Sequence, residues 1–303
     1  MTMKNTSNHT ERGLYRLKIA MIGTGYVGGN LTRVMTKLGH DVSITNSRNA
    51  KALQELAEET GARPTTINDV AQGAEVVIIS IPPKSIPDLP PGFLDKIAPG
   101  GVVIDTANYY PLLFDILIEP VEIGLPESRW VEQQIKHPVI KAFNATPWYN
   151  LTRGLPAETP GRLAMPVAGD DPATKAIVLK LVEEIGFDAV DAGGLDESWR
   201  QQPGTPAYCV DLDVPGMHKA LSQATKERSR EFKAINLNDE ERKAAHEMQS
   251  AFHKNINKAV LTLMEANYWT EAEATRALFT QFLTGNKPAS DILKFVFEHK
   301  RLD

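Results

Sequence analysis

Cysteine is nearly absent from this sequence. One residue, Cys209, stands among 303. A lone thiol builds neither an internal disulfide framework nor a cysteine-based zinc site, and reads as inert and buried. Histidine is thinly spread: His9, His40, His137, His218, His246, His253 and His299 form no HExxH and no cluster with carboxylates. No metal is therefore expected. His137 precedes Pro138 at the start of a strand, the wrong end of a sheet for a site. Long apolar runs are missing too. Stretches such as Val76–Ile79 fall far short of the ~18 residues that a membrane span needs. No run of Lys or Arg occurs, and 33 basic against 38 acidic residues leave a net charge of −5. Nucleic-acid binding needs a basic face, so neither a nucleic acid nor a membrane is expected as partner. Met1–Arg16 is polar, without the apolar core of a signal peptide, and reads as a loose arm. The expectation is a soluble cytoplasmic protein.

What remains is ordinary globular composition, 42% hydrophobic and 23% charged. At roughly 150 residues per domain, two domains are expected. Leu17–Ile22 reads as a strand ending in glycine. Val27, Leu31, Val34, Met35 and Leu38 follow at helical spacing, with Gly39 placed to close that helix. Val42–Thr45 is the next strand. Ala50, Leu53, Leu56 and Ala57 mark a second helix closed by Gly61. Val76–Ile81, stopped by Pro82-Pro83, Val102–Asp105 and Val139–Phe143 read as buried strands. Leu163–Ala168, a helix capped by Asp171-Pro172, and Asp188–Val190 extend the pattern. Continuous apolar strands separated by helices predict an α/β fold, a doubly wound parallel Rossmann sheet covered on both faces.

Beyond about Asp191 the character changes. Ala192–Gly216 is a polar, Gly- and Pro-rich connector. Ala245, Met248, Phe252, Ile256, Ala259, Val260 and Leu263 then form one long helical stripe. Thr270–Glu273 is a capping-box sequence, and Ile292, Leu293, Val296 and Phe297 form a last short stripe. The chain divides into an arm (1–16), a Rossmann domain (17–204) and a smaller all-helical C-terminal domain (205–303). That helical stripe suits either the Rossmann domain or a second copy of the chain, a possible homodimer.

Gly23-Thr24-Gly25-Tyr26-Val27-Gly28 lies directly after the first strand and opens the first helix, the context a dinucleotide fingerprint requires. Gly23 permits the tight turn, Gly25 lets backbone approach a pyrophosphate, and Gly28 allows close helix–sheet packing. The helix N-terminus offers amides and partial positive charge to phosphates. An NAD site places a carboxylate at the end of the second strand to hold the ribose 2′-OH. Here stand Asn46, Ser47 and Arg48, with no carboxylate. Ser47 can donate to a 2′-phosphate and Arg48 can make a charge-assisted contact with it, worth roughly 1.5–3 kcal/mol. NADP(H) is therefore predicted over NAD. Ser80, Ile81, Pro82 and Pro83 end the third long strand, and Ala107 and Asn108 follow the next one. In a doubly wound sheet such loops line the crevice, where they present backbone, and the Asn108 amide, to the cofactor.

Several ordered blocks resemble the family of NADP oxidoreductases called coenzyme F420-dependent. Lys141-Ala142-Phe143-Asn144-Ala145-Thr146 is similar to its "KAFN" segment. Asn46-Ser47-Arg48 is similar to its phosphate-reading turn. Val167–Asp171 and Ile185–Gly193 are similar to its later blocks. The likeness runs from about Lys18 to Leu195. It implies a reductase that transfers hydride from NADPH, with Ala142 among the residues that line the cofactor. Two segments depart from compact members, Tyr109–Trp130 and the helical region from about 205. Both touch the face where the second substrate would sit. The acceptor stays open among deazaflavin F420, a flavin, a quinone and a small carbonyl.

A flavin-like acceptor needs little acid–base apparatus, which fits the absence of a triad, a metal or paired carboxylates. A carbonyl or imine needs a proton donor. Asn144, Thr146, Trp148 and Tyr149 follow a strand's carboxyl end, and Tyr109, Tyr110, Trp199, Arg200 and Tyr208 are candidate walls of the crevice. Asn144 and Thr146 are the weak catalytic candidates there. A rival reading is a β-hydroxyacid dehydrogenase or imine reductase. Lys254-Asn255-Ile256-Asn257 spaces Lys and Asn as in the dehydrogenases' catalytic helix but lacks their adjacent second Asn, which makes Lys254 a third weak candidate. The other rival is a non-catalytic NADP-sensing protein.

Overall fold

In the computed structural model the described residues are 16–47, 49–111 and 115–228, with 238–240 and 243. Arg48, Lys254, the 245–263 and 292–297 stripes and the capping box at 270–273 lie outside them.

The chain opens with β1 (Lys18–Ile22), α1 (Tyr26–Lys37), β2 (Asp41–Thr45), α2 (Ala50–Thr60) and the short β3 (Arg63–Pro64). β4 (Val76–Ile79), β5 (Val102–Asp105) and β6 (Ile140–Lys141) follow, with α3 (Glu119–Glu122) and α4 (Glu127–Ile135) between the last two. These six strands form one parallel sheet in the order β3-β2-β1-β4-β5-β6. The order reverses beside β1, which places a topological switch, and hence a crevice, at the carboxyl ends of β1, β2 and β4.

Every residue of β4 and β5 is buried, so these strands read as unbroken apolar runs in the sequence. Alternation still sorts their side chains. Ile19, Met21, Val76, Ile78, Val102 and Ile104 pack with residues of α1, α2 and a later helix, α5 (Pro172–Glu184). Ala20, Ile22, Val77, Ile79 and Val103 face the opposite layer, which includes Phe93, Tyr109, Trp130 and Val131. Both faces are therefore covered, as the sequence predicts. The cap signals hold as well. Gly61 takes φ +76° and closes α2, and the Asp171 carboxylate accepts from the Thr174 amide at 2.7 Å.

Three sequence expectations are corrected. Val139–Phe143 shrinks to the two residues of β6, and Phe143 takes the left-handed conformation at φ +63°, which turns the chain out of the sheet. The link from β4 to β5 contains a 3₁₀ turn, Pro83–Ser85, and no α-helix. β7 (Ala164–Val167) and β8 (Asp188–Asp191) do not extend the main sheet in parallel. They pair with each other and meet it through an antiparallel bridge between Lys141 and Ala168. α6 (Val214–Gln223) lays Met217, Ala220 and Leu221 on this pair, against Ala164, Ala168, Val190 and Ala192.

Candidate functional site

The loop after β1 is built from three glycines with different surroundings. Gly23 takes φ +99°, and its amide donates to the Thr45 carbonyl at 3.0 Å. A Cβ on Gly23 would lie 2.2 Å from the Ser80 carbonyl oxygen, and one on Gly28 would lie 2.0 Å from the Gly23 carbonyl oxygen. These two positions hold β1, β4 and α1 together. Gly25 differs: nothing lies within 4 Å of where its Cβ would be. It is the N-cap of α1, and no side chain caps that helix. A helix N-terminus without a side-chain cap, opening on free space at the switch point, suits an anionic group.

The β2 end braces this loop. Asn46 Nδ2 donates to Thr24 Oγ1 at 2.8 Å, while Asn46 Oδ1 accepts from the Asn49 amide at 3.3 Å. Asn49 in turn caps α2 by accepting from the Ala52 amide. Ser47 is exposed at the tip of this turn. Tyr26 is exposed and stacks on Trp148 with centroids 4.8 Å apart, and the Trp148 carbonyl accepts from Asn30 of α1. Val27 is half-buried against the core.

On the other side of the switch lie the ends of β4, β5 and β6. Ser80, Ile81 and Pro82 are half-buried and Pro83 is buried. Asn108 and Asn144 exchange hydrogen bonds: Asn108 Nδ2 donates to the Asn144 carbonyl at 3.2 Å, and Asn144 Nδ2 donates to Asn108 Oδ1 at 3.1 Å. Gln201, which the sequence reading did not single out, completes the cluster by donating to Asn144 Oδ1 at 2.8 Å. Thr146 lies nearby in the chain and its hydroxyl accepts from Asn150. The Ala142 side chain is wholly inside the core, so only backbone is available there.

Beneath this cluster is a fully buried ion pair. Lys141 Nζ lies 3.1 Å from Asp105 Oδ2 and also donates to the Ala107 carbonyl. Asp105 accepts in addition from Ser128 Oγ at 2.7 Å and from the Ala107 amide at 2.8 Å. The pair fastens the ends of β5 and β6 and fixes residues 105–107, which lead into Asn108. A second buried pair joins Glu127 to Arg228 at 2.8 Å. Burial pushes the Glu127 carboxyl up, and Arg228 opposes that.

The candidate wall residues separate. Tyr109 is fully buried, with its hydroxyl accepting from the Ile118 amide, and it does not line the crevice. Trp199 and Arg200 are half-buried, and Arg200 pairs with Glu197. Tyr110 and Tyr208, ninety-eight residues apart, hydrogen-bond hydroxyl to hydroxyl. Burial raises both phenol pKa values and pushes the neighbouring Cys209 thiol up to about 11. His137 is only partly buried at the amino end of β6. Among the described residues no group of acidic, His and Cys side chains could hold a metal ion, and no helix is long and apolar enough to cross a membrane.

Comparison with known proteins adds to this geometry. Residues 18–109 match the family described as NADP oxidoreductase, coenzyme F420-dependent. The match begins at β1 and ends just past Asn108, so the resemblance read from the sequence holds over the glycine loop and the first five strands. A protein of Escherichia coli (strain K12), YjhV, is 47% identical over 76 residues, 25% of this chain and 56% of that protein. An uncharacterized oxidoreductase of Shewanella frigidimarina (strain NCIMB 400) is 36% identical over 64 residues, 21% of this chain and 22% of that protein. The chain thus spans about half of the first relative's length and less of the second's. The crystal structure of a hypothetical protein, SMa0349, from Sinorhizobium meliloti aligns with a TM-score of 0.53 and 25% identity, covering 65% of this chain and 95% of that one.

Proposed function

We propose that this chain is an NADP(H)-dependent oxidoreductase that binds NADPH along the carboxyl edge of its six-stranded sheet and reduces a small-molecule acceptor. The observation that carries the reading is Gly25, the one glycine of the motif that looks onto open space, at the N-terminus of α1. Tyr26, Val27 and Gly28 would bring backbone amides to the diphosphate, with Thr24 held in place by Asn46. Ser47 and Arg48 would receive the 2′-phosphate. Ser80 to Pro83, Ala107, Asn108 and the backbone at Ala142 would line the nicotinamide half. When bound, NADPH supplies a hydride. The protein's part is to orient it and keep water out. The same reading carries the finer expectations: a cytoplasmic enzyme, its Rossmann unit ending near 204, and a helical unit through which two copies pair.

The test is a fluorescence titration of wild type and Arg48→Ala with NADPH and NADH. Wild type should bind NADPH more tightly, and the preference should shrink at least tenfold in the variant, about 1.4 kcal/mol. An unchanged ratio removes the 2′-phosphate assignment. Absence of dinucleotide binding removes the reading as a whole, and NADPH oxidation by any acceptor excludes a purely sensing role.

A further inference from the structure

We propose that Tyr110 is a catalytic proton donor, backed by Tyr208, and that the acceptor is therefore a carbonyl or imine rather than a flavin-like ring. The inference rests on the dinucleotide reading above and adds the class of the second substrate.

The position of the pair follows from the topology. The turn at 46–49 after β2 belongs to the adenosine end, and the α1 N-terminus takes the diphosphate. The second nucleoside must then lie on the far side of the switch, over β4 and β5. Asn108 closes that side, hydrogen-bonded to Asn144 at the end of β6. Tyr110 is two residues past Asn108. Tyr208 is brought to the same edge because the amide of its neighbour, Cys209, donates to the Ala145 carbonyl at 2.7 Å, one residue past Asn144. Two independent anchors therefore carry the two phenols to one place beside the amide cluster, where their hydroxyls meet.

The chemistry of the pair suits a donor. Neither residue is wholly buried, although protein closely surrounds both phenols. Tyr110 is also fixed through its backbone, whose amide donates to Asp115 Oδ2 at 2.9 Å. Burial raises both phenol pKa values, so both keep their protons throughout the neutral range but are weaker acids than a free phenol. Tyr110 gives its proton up only to a stronger base, which the oxygen or nitrogen that gains the π electrons during hydride transfer is. The step balances as follows. The acceptor carbon gains the hydride, and its C=O or C=N π bond opens. The released electron pair takes the phenolic proton of Tyr110. The Tyr110 oxygen recovers a proton from Tyr208, and solvent restores the latter. One hydride and one proton have been added across the double bond; the acceptor is reduced to an alcohol or amine and the dinucleotide is oxidised.

Two measurements on the full chain test this. The first uses NADPH with p-nitrobenzaldehyde, 1-pyrroline and, as the contrasting acceptor, FMN. Wild type should reduce a carbonyl or imine probe. Tyr110→Phe should lose about 10²–10⁴-fold in kcat, the range of a general acid, with KM and NADPH affinity unchanged. Tyr208→Phe should lose less. The second needs no turnover. Fluorotyrosine placed at 110 should shift its ¹⁹F resonance on binding NADP⁺ and not on binding 2′-phospho-ADP-ribose, which lacks the nicotinamide. A wild-type protein that binds NADPH but reduces only FMN, or none of the three, overturns the proposal and leaves the cofactor reading standing. So does a Tyr110→Phe variant with wild-type kcat, or a fluorine signal that ignores bound NADP⁺. Failure to bind any dinucleotide brings both down. If Tyr110→Phe does not fold, Tyr208→Phe and the fluorine label decide.

Discussion

Gly25 and Gly28 both carry a hydrogen where other residues carry a side chain, for opposite reasons. At Gly28 the neighbouring Gly23 carbonyl oxygen already occupies the space, since a Cβ would sit 2.0 Å from it. At Gly25 the space is empty and the backbone, at φ −73°, is open to any residue. Gly28→Ala should therefore destabilise the fold by about 1–3 kcal/mol, the usual result of overpacking. Gly25→Ala should cost less than about 1 kcal/mol, the N-cap difference between the two residues, yet weaken NADPH binding at least tenfold. Thermal melts and NADPH titrations on the two variants separate the effects. A Gly25→Ala protein with full affinity would show that no diphosphate uses that opening. The sequence motif already assigns the ligand side to Gly25 and close packing to Gly28. What it does not name is the atom that fills each space, the Ser80 carbonyl oxygen at Gly23 and the Gly23 carbonyl oxygen at Gly28.

At the level of elements, what the sequence could show was local. The apolar runs of β4 and β5, the helical stripe of α1 and the caps at Gly61 and Asp171 each depend on a few adjacent residues, and each was legible. The antiparallel setting of β7 was not, because burial on both faces gives the same apolar run in either direction. Nor was the Asp105–Lys141 pair, whose members stand thirty-six residues apart and meet only when β5 and β6 align. The amide cluster escaped in part for the same reason, with Gln201 arriving from a 3₁₀ turn after β8. Lys141→Met tests what the pair does. It leaves Asp105 buried with its Ser128 and Ala107 partners but without its counter-charge. Removing one member of a buried pair typically costs about 3–5 kcal/mol, so the urea midpoint should fall by that equivalent. NADPH affinity should fall as well, since the same ammonium holds the Ala107 carbonyl beneath Asn108. A variant as stable as wild type would mean that Asp105 finds another partner at little cost.

At the scale of the whole molecule, His40 is a buried group among the described residues that couples stability to pH near neutrality. His40 follows α1 and lies under the entry to β1, where Nδ1 accepts from the Leu17 amide at 3.3 Å. Nε2 faces the carboxyl end of α5, 3.7 Å from Glu184 Oε2. Three elements therefore meet on one imidazole. Burial lowers its pKa below the ordinary 6.5, and Glu184 only partly offsets this. The folded protein thus holds His40 neutral at pH values where the unfolded chain has begun to protonate it. Below pH ~6.5 the unfolded state binds more protons than the native one, so stability rises with pH in that range. The contribution is complete above the unfolded value and is lost as pH falls toward the folded one. His40 should make unfolding free energies measured in urea decline from about pH 7.5 to about pH 5, against the opposite pull of the buried carboxyls of Asp115 and Glu127, which wild type and variant share. In His40→Asn the amide oxygen can still accept from Leu17 but nothing titrates there, so the variant should lack this decline and the gap between the two should narrow on acidification. Parallel curves would mean that His40 takes its proton as readily in the folded protein as in the unfolded chain, with Glu184 compensating fully for burial.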